Sequence, residues 1–251
     1  MPIQSVLDAH CHTVASGHAY STVSEYIAEA AKKGLKAIAI TDHAPKMPGA
    51  SGYLHFLNQP KLPRQINGVA LFTGVELNIL NENGKVDLER GIYKWLDVVM
   101  ASLHVPCFAP TTEEIHTAAI INAMKNPLIK IIGHLGDPRY PFDIALITQT
   151  AKETGTAIEI NNASLDPSNG IRTGGADIIK EVALECKRQS VPVIMGSDAH
   201  FHAEVGETQY AQQLLEDIDF PPELVLNRSV EAFTEFLTTP LTLMPNPNTP
   251  A

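Results

Sequence analysis

Two histidines near the start of the chain, His10 and His12 in the sequence LDAHCHT, are separated by a single residue. Side chains two positions apart on a β-strand point to the same face. Imidazole is the commonest protein ligand of metal ions, so two rings on one face are suited to hold one ion together. The spacing therefore predicts a metal site. It also predicts that Cys11 points to the opposite face, against a helix.

Most of the other candidate ligands share one position, since each lies at or just after the end of a predicted apolar strand. In a parallel barrel the carboxyl ends of the strands meet at one face, where such folds build their active sites. Seven histidines and two carboxylates are therefore expected to converge at that face. The predicted ligands are His10, His12, His18, His43, Glu76, His104, His134, Asp198 and His200.

The number and charge of these ligands indicate what the site binds. Nine ligands are too many for one ion, because a catalytic divalent ion keeps roughly three protein ligands. With one bridging carboxylate they make ten bonds, which suits three ions. Three divalent ions contribute +6 and the two acids return −2, so a site near +4 needs anions. Hydroxide formed from metal-bound water is one such anion, and a phosphate group is the natural second.

The identity of the metal follows from the ligand types. A set rich in imidazole with few carboxylates favours zinc, with three ions per chain. Manganese or iron could occupy the same nitrogen and oxygen ligands. Losing the metals is expected to loosen the barrel mouth, because clustered polar side chains would lose their partners.

Apolar strand patterns alternate with helical patterns along the chain. Repetition of strand and helix predicts parallel strands with right-handed crossovers, and seven strands favour a closed or nearly closed α/β barrel. Strands are predicted over 5–11, 36–40, 68–79, 96–103, 129–134, 157–162 and 192–198. Helices are predicted over 22–34, 112–126, 142–155 and 175–189.

The chain shows no internal repeat or linker, so a single barrel domain is predicted over residues 1–240. Residues 241–251 are rich in Pro and Asn and are predicted to form a flexible tail. A long loop with Pro and Gly, residues 44–67, is expected to cover one barrel mouth. His55 in this loop and His116 are expected at the surface, and Trp95 and Met195 in the core.

Composition excludes several classes of function. The chain carries 18 basic and 28 acidic residues, a net charge of −10, which makes nucleic acid an improbable partner. No apolar run is long enough to span a membrane, and the first residues lack the pattern of a signal peptide. Three widely spaced cysteines, Cys11, Cys107 and Cys186, do not suggest a disulfide framework or a thiolate zinc site. These features predict a cytoplasmic protein, and they leave its oligomeric state open.

An ordered set of motifs resembles the polymerase-and-histidinol-phosphatase (PHP) superfamily. The motifs are D-A-H-C-H-T (8–13), I-T-D-H (40–43), G-V-E (74–76), S-L-H (102–104), G-H-L-G (133–136) and G-S-D-A-H (196–200). Three further segments resemble the YcdX-like phosphatases of this superfamily: T-V-A-S-G-H-A-Y-S-T (13–22), E-I-N-N (159–162) and F-P-P-E-L-V-L-N (220–227).

The resemblance implies a distorted (β/α)7 TIM-like barrel with a trinuclear zinc site. Carried over to this sequence, it assigns the predicted ligands to three ions. One ion would be held by His10, His12, Glu76 and Asp198, a second by Glu76, His104 and His134, and the third by His18, His43 and His200.

These features together predict a phosphatase that acts on a small phosphorylated substrate. A hydroxide that bridges two ions would attack phosphorus in line. Arg172 is the first candidate for the cation that pairs with the phosphate oxygens, and Arg139 is the second. Asp42, which precedes a ligand candidate, is expected either to orient an imidazole or to protonate the leaving group.

Three other functions stay open at this point. Histidinol-phosphate phosphatase is the main alternative within the superfamily. A metal-dependent amidohydrolase also begins with His-x-His on a barrel, but no barrel lysine suited to carbamylation is evident. A non-catalytic metal-binding partner domain is disfavoured, because no ligand is missing.

Overall fold

Short strands and helices alternate along the chain in the computed structural model, which describes residues 3–168, 170 and 174–239. The strands are β1 (Leu7–Cys11), β2 (Ala37–Ile40), β3 (Gln65–Ile66), β4 (Val69–Asn78), β5 (Val98–Ser102), β6 (Ile131–Ile132), β7 (Ala157–Asn161) and β8 (Val193–Gly196). The α-helices are α1 (Val23–Lys32), α2 (Tyr53–Asn58), α3 (Arg90–Tyr93), α4 (Glu113–Met124), α5 (Ile144–Thr154), α6 (Asn162–Leu165), α7 (Gly175–Gln189), α8 (Gln209–Asp217) and α9 (Val230–Thr238).

Seven parallel strands form a nearly closed barrel in the order β1-β2-β4-β5-β6-β7-β8, with β3 antiparallel to β4. Backbone hydrogen bonds join β1 to the segment that follows β8. Asp198 N donates to His10 O at 3.0 Å, and His12 N donates to Ala199 O at 2.9 Å. These bonds place the first and last ligand candidates side by side. The predicted (β/α)7 TIM-like barrel is confirmed.

Local sequence determines where the main helices begin and end. Thr22 and Glu25 form a capping box at the start of α1, and Asp143 accepts from Leu146 N at the start of α5. Gly155 ends α5 with a φ of 75°, which an L-residue adopts only at a cost. These helices therefore lie within a few residues of their predicted positions.

Apolar side chains fill the barrel interior and form a floor for the site. The fully buried ring of Phe233, from α9, packs among them with its centroid 5.2 Å from that of Phe72. Burial of such a ring contributes about 1.5–3 kcal/mol. The cluster consists of Leu7, Ala9, Ala37, Ala39, Val98, Met100, Ile131, Ala157, Ile194, Leu226 and Phe233.

A second layer of packing places helices outside the barrel. Cys11 is fully buried and packs in one cluster with Tyr26, Ile27 and Ala30 of α1. Cys11 therefore packs against a helix, as the alternation of side chains along β1 predicts.

Three expectations about individual segments need correction. The loop 44–67 is not plain loop, because it contains α2, a 3-10 turn and β3. His116 is buried rather than exposed, since its Nδ1–H donates to Pro141 O at 2.9 Å and its Nε2 accepts from Thr111 N at 2.8 Å. Trp95 is 63% exposed rather than in the core, because the end of α3 and the turn after it bury Tyr93 and Leu96 instead.

Two predictions about the whole chain, its domain division and its cytoplasmic location, stay untested. The proposed tail, 241–251, lies outside the described residues, so the division into a barrel over 1–240 and a tail stays a prediction. Within the described ranges, no helix combines the length and the apolar character that crossing a membrane requires. The cytoplasmic location stays a prediction.

Candidate metal centre

The nine ligand candidates meet at the carboxyl ends of the strands. Neighbouring imidazole rings lie in contact. The distance between ring centroids is 4.2 Å for His12 and His43, 4.5 Å for His12 and His200, and 4.9 Å for His104 and His134. His18, the most exposed candidate, lies 5.0 Å from His43 and 4.9 Å from His200 by ring centroid. Side chains separated by up to 190 positions in sequence therefore form one cluster.

Glu76 lies at the centre of this cluster and is fully buried. Its Oε1 lies 2.8 Å from His134 Nε2 and 3.2 Å from His104 Nε2. Its Oε2 lies 2.7 Å from His43 Nδ1 and 3.5 Å from His10 Nε2. The two oxygens thus face different groups of imidazoles, as a bridging carboxylate must.

Electrostatics keep Glu76 ionised. Burial raises the pKa of Glu76, but His104, His43 and the other neighbouring imidazoles more than offset this effect, so that the pKa lies well below its usual value. The carboxylate form is the one that binds a metal.

Two ligand candidates present Nε2 to the cluster because their Nδ1 atoms have acceptors behind them. His10 Nδ1 donates to Glu159 Oε1 at 2.7 Å, and His104 Nδ1 donates to Asn78 Oδ1 at 2.7 Å. The Asn78 amide is fixed in this orientation, because its Nδ2 donates to Asp87 Oδ2 at 2.7 Å. An imidazole that donates from Nδ1 keeps a lone pair on Nε2 for a metal ion.

Ser16 orients a third candidate, His12, in the same way. The Ser16 hydroxyl donates to Asp42 Oδ1 at 2.8 Å and accepts from His43 N at 3.0 Å. Its proton is committed to Asp42, so it must accept from His12 Nδ1, which lies 3.1 Å away. Burial and the neighbouring His43 and His200 lower the pKa of His12 well below 6.5. His12 is therefore neutral, with its Nε2 lone pair turned toward the cluster.

His10 shows that the site favours positive charge. Burial lowers the pKa of His10, but the carboxylates of Glu159, Asp198 and Glu76 raise it, and the net pKa lies well above 6.5. Asp198 Oδ1 lies 3.5 Å from His10 Nε2 and 3.2 Å from His12 Nε2. A divalent ion bound between these atoms would supply the positive charge that the acids attract.

Two buried atoms at the centre have no hydrogen-bond partner among the described residues: His43 Nδ1 and Glu76 Oε2, although they lie 2.7 Å apart. Polar atoms buried without partners are costly, and metal ions bound in the cluster would satisfy them. Ligand atoms also lie within 4.8 Å of one another in three overlapping triads: His12, His43 and His200; His10, His12 and Glu76; His43, Glu76 and His104. The donor set fits zinc or a similar divalent ion.

The sequence of this chain matches a known protein family. Residues 8–165 match the model of the PHP domain family. This chain belongs to the PHP domain family. The family predicted from the sequence motifs is therefore confirmed.

Relatives of this PHP chain carry consistent names. A probable phosphatase of Caldanaerobacter subterraneus is 48% identical over 238 residues, which cover 94% of this chain and 92% of that protein. A probable phosphatase of Caldicellulosiruptor saccharolyticus is 47% identical over 231 residues, which cover 92% of this chain and 95% of that protein. These names agree with the prediction that this chain is a phosphoric ester hydrolase.

A solved structure shares the fold of this PHP chain. It is the histidinol phosphate phosphatase of Lactococcus lactis, complexed with zinc, L-histidinol and phosphate. The TM-score is 0.60 at 17% identity, and the match covers 86% of this chain and 94% of the other.

The three catalytic candidates of this PHP domain differ in what surrounds them. Asp42 is buried and accepts from Thr13 N at 2.6 Å, Ser16 Oγ at 2.8 Å and His55 Nε2 at 3.1 Å. Burial raises the pKa of Asp42, but the hydrogen bond from His55 and the nearby His12 more than offset it, so that the pKa is lowered. These contacts favour the orienting role over proton donation.

The two arginine candidates stay predictions. Arg139 pairs with Asp137, with Nη2 2.6 Å from Oδ2, and its side chain is 47% exposed. Arg172 lies outside the described residues.

Sequence reasoning missed four residues at this PHP site: Ser16, His55, Asn78 and Glu159. Glu159 stands in the E-I-N-N motif, but the motif gave no sign that its carboxylate contacts His10. His55 was expected at the surface, and its side chain is only 27% exposed because α2 brings it onto Asp42. The one signal for Glu159 in the sequence was its position as an acidic residue within the otherwise apolar strand segment 157–160.

Proposed function

We propose that this chain is a metal-dependent phosphatase that releases phosphate from a small phosphomonoester at a centre of three divalent ions, preferably zinc. The observation that carries the proposal is the cluster itself, in which seven imidazoles surround only two carboxylates. The names of the relatives and the zinc and phosphate in the Lactococcus lactis structure support it.

The ligand assignment implied by the family resemblance divides the cluster among three ions. His10, His12, Glu76 and Asp198 would hold one ion, and Glu76 would bridge to a second ion. That second ion would be held by His104 and His134, whose Nε2 atoms lie 3.0 Å apart. His18, His43 and His200 would hold the third.

When bound, the ions would supply a hydroxide nucleophile at neutral pH and would polarise the phosphoryl oxygens. The chain's own residues would perform the remaining tasks. Ser16 and Asp42 keep His12 in the required tautomer, and Asn78 does the same for His104. Arg172 and Arg139 are the proposed partners of the phosphate oxygens.

The choice of substrate class can be tested with three compounds. Purified protein would be assayed with p-nitrophenyl phosphate, with the matching diester and with an N-acetyl amino acid, before and after chelation. Cleavage of the monoester that stops on chelation and returns with zinc is expected. Cleavage of the amide alone would show an amidohydrolase and overturn the proposal.

We further propose that the leaving group of the substrate occupies a pocket beside the cluster. The pocket has a volume of about 420 Å³ and lies between the loop after β2 and the loop after β4. Pro45 in its wall follows His43 by two residues, and Asp87 accepts from Asn78, the residue that orients His104. Its lining consists of Pro45, Gly52, Tyr53, Asp87, Leu88, Glu89 and Ile92.

Tyr53→Ala should remove apolar contact with the leaving group. We expect kcat/KM for phenyl phosphate to fall about tenfold, while that for methyl phosphate changes little, since loss of apolar contact costs roughly 1–3 kcal/mol. Leu57→Ala is the matched control, because Leu57 is exposed on the same helix and does not line the pocket. An equal loss for both substrates would place the leaving group elsewhere without affecting the proposed reaction.

A further inference from the structure

A single carboxylate, that of Glu159 on β7, contacts two predicted ligands, His10 and His134, that the proposed centre assigns to different ions. The residue is 2% exposed. Its Oε1 accepts from His10 Nδ1 at 2.7 Å, and its Oε2 accepts from His134 N at 2.7 Å. Both oxygens are therefore used, one on the side chain of a ligand and the other on the main chain of a second ligand.

Gly196 makes room for this carboxylate, and Gly133 makes room for the neighbouring Ser102. A Cβ at Gly196 would lie 2.3 Å from Glu159 Oε1 and 2.6 Å from His10 Cβ. A Cβ at Gly133 would lie 2.4 Å from Ser102 Oγ and 3.4 Å from Glu159 Oε2. The chain thus lacks a side chain at the one of these two places, Gly196, where it would crowd both Glu159 and His10.

The hydrogen bond from His134 N to Glu159 stabilises an uncommon backbone conformation of His134. His134 has a φ of 22°, a positive value that non-glycine residues adopt rarely. Such a conformation persists only where the surrounding structure holds it. The hydrogen bond from His134 N to Glu159 is one of the interactions that hold it.

We propose that Glu159 is a positioning residue that couples the His10 and His134 subsites, so that their ions bind as a linked pair. An ion on His10 Nε2 fixes the ring and so fixes Glu159, which then holds the backbone of His134 in place for the second ion. The second ion therefore binds a subsite that is already ordered, which is positive coupling. The inference rests on the proposed metal centre but not on the proposed reaction.

Glu159→Gln is the most conservative test of this role. Glutamine keeps the size of the side chain, but only one of its two terminal atoms accepts a hydrogen bond. It can therefore satisfy His10 or His134, and the other donor faces an NH2 group. Substitution of residues that orient ligands typically weakens metal binding 10–100-fold.

The measurement is calorimetric titration of zinc into chelator-treated protein, together with the melting temperature of the zinc-free and zinc-loaded forms. For Glu159→Gln we expect roughly 10–100-fold weaker binding of two ions. The melting temperature should also rise less on addition of zinc than in the wild type. Asn227→Ala is the control, because Asn227 is buried and bonds to Met195 and Leu7 without contacting a ligand. It should lower both melting temperatures together and leave zinc affinity unchanged.

Several outcomes would overturn the role of Glu159. One is wild-type zinc affinity in the Gln variant, and another is a loss of stability that is equal with and without zinc. If Glu159→Gln does not fold, Glu159→Asp gives the same test, since its carboxylate is one methylene too short to reach both donors. Wild-type protein that binds zinc normally but cleaves no monoester would contradict the proposed function and leave the coupling intact.

Discussion

Glu76→Gln is expected to reduce kcat/KM for a phosphomonoester by roughly 10²–10³-fold. Glutamine fills the same space but carries no charge and offers one acceptor oxygen instead of two. It cannot face His134 and His104 with one oxygen and His43 with the other, as Glu76 does. The kinetic assay should be accompanied by metal analysis, which should show fewer than the wild-type number of ions per chain.

Glu185→Gln provides the control for this variant. Glu185 lies on α7 and pairs with Arg188, away from the cluster, so the same chemical change there should leave activity and metal content intact. A Glu76→Gln protein that retains activity within tenfold of the wild type would contradict a bridging role for Glu76.

Removing the metals is expected to lower the melting temperature by roughly 5–11 °C for each ion lost and to abolish turnover. Each ion present at 100 times its Kd stabilises the folded state by about 2.7 kcal/mol. In a chain of this size 1 kcal/mol corresponds to roughly 2–4 °C in Tm. Without ions, His43 Nδ1 and Glu76 Oε2 lose the ions that the proposal assigns to their side chains.

Scanning calorimetry before and after chelation measures this effect, and return of both stability and activity on addition of zinc is the control. Magnesium at the same concentration should restore less, because it binds imidazole poorly. Identical melting curves with and without chelator, in protein shown by plasma emission to have lost its metal, would mean that the cluster needs no cation.

The metal site could be predicted from the sequence, because the prediction depends only on residue type and on position along a strand. Each ligand candidate lies late in an apolar strand or in the segment that follows one, and parallel strands in a barrel bring their carboxyl ends together. The pattern in I-T-D-H or I-I-G-H can be read without knowing which strands are neighbours. The four longest helices, α1, α4, α5 and α7, were predictable from local patterns too, and capping residues such as Thr22 and Asp143 act within one turn, whereas α8 and α9 were not predicted.

The residues that orient the ligands were decided by the tertiary structure alone. Glu159 reaches His10 across 149 positions of sequence, and no periodicity marks such a contact. His55 lies beside Asp42 because α2 folds back within a segment that the sequence describes only as rich in Pro and Gly. His116 is buried because Pro141, from a different loop, supplies an acceptor.

The sequence by itself determined which atoms could bind metal and that they would meet at one face, because residue type and strand position are local properties. Only the tertiary structure decided which nitrogen of each imidazole faces the centre. That choice depends on acceptors such as Glu159, Asn78 and Ser16. These acceptors come from other elements of the fold, and their hydrogen bonds form only when those elements pack together.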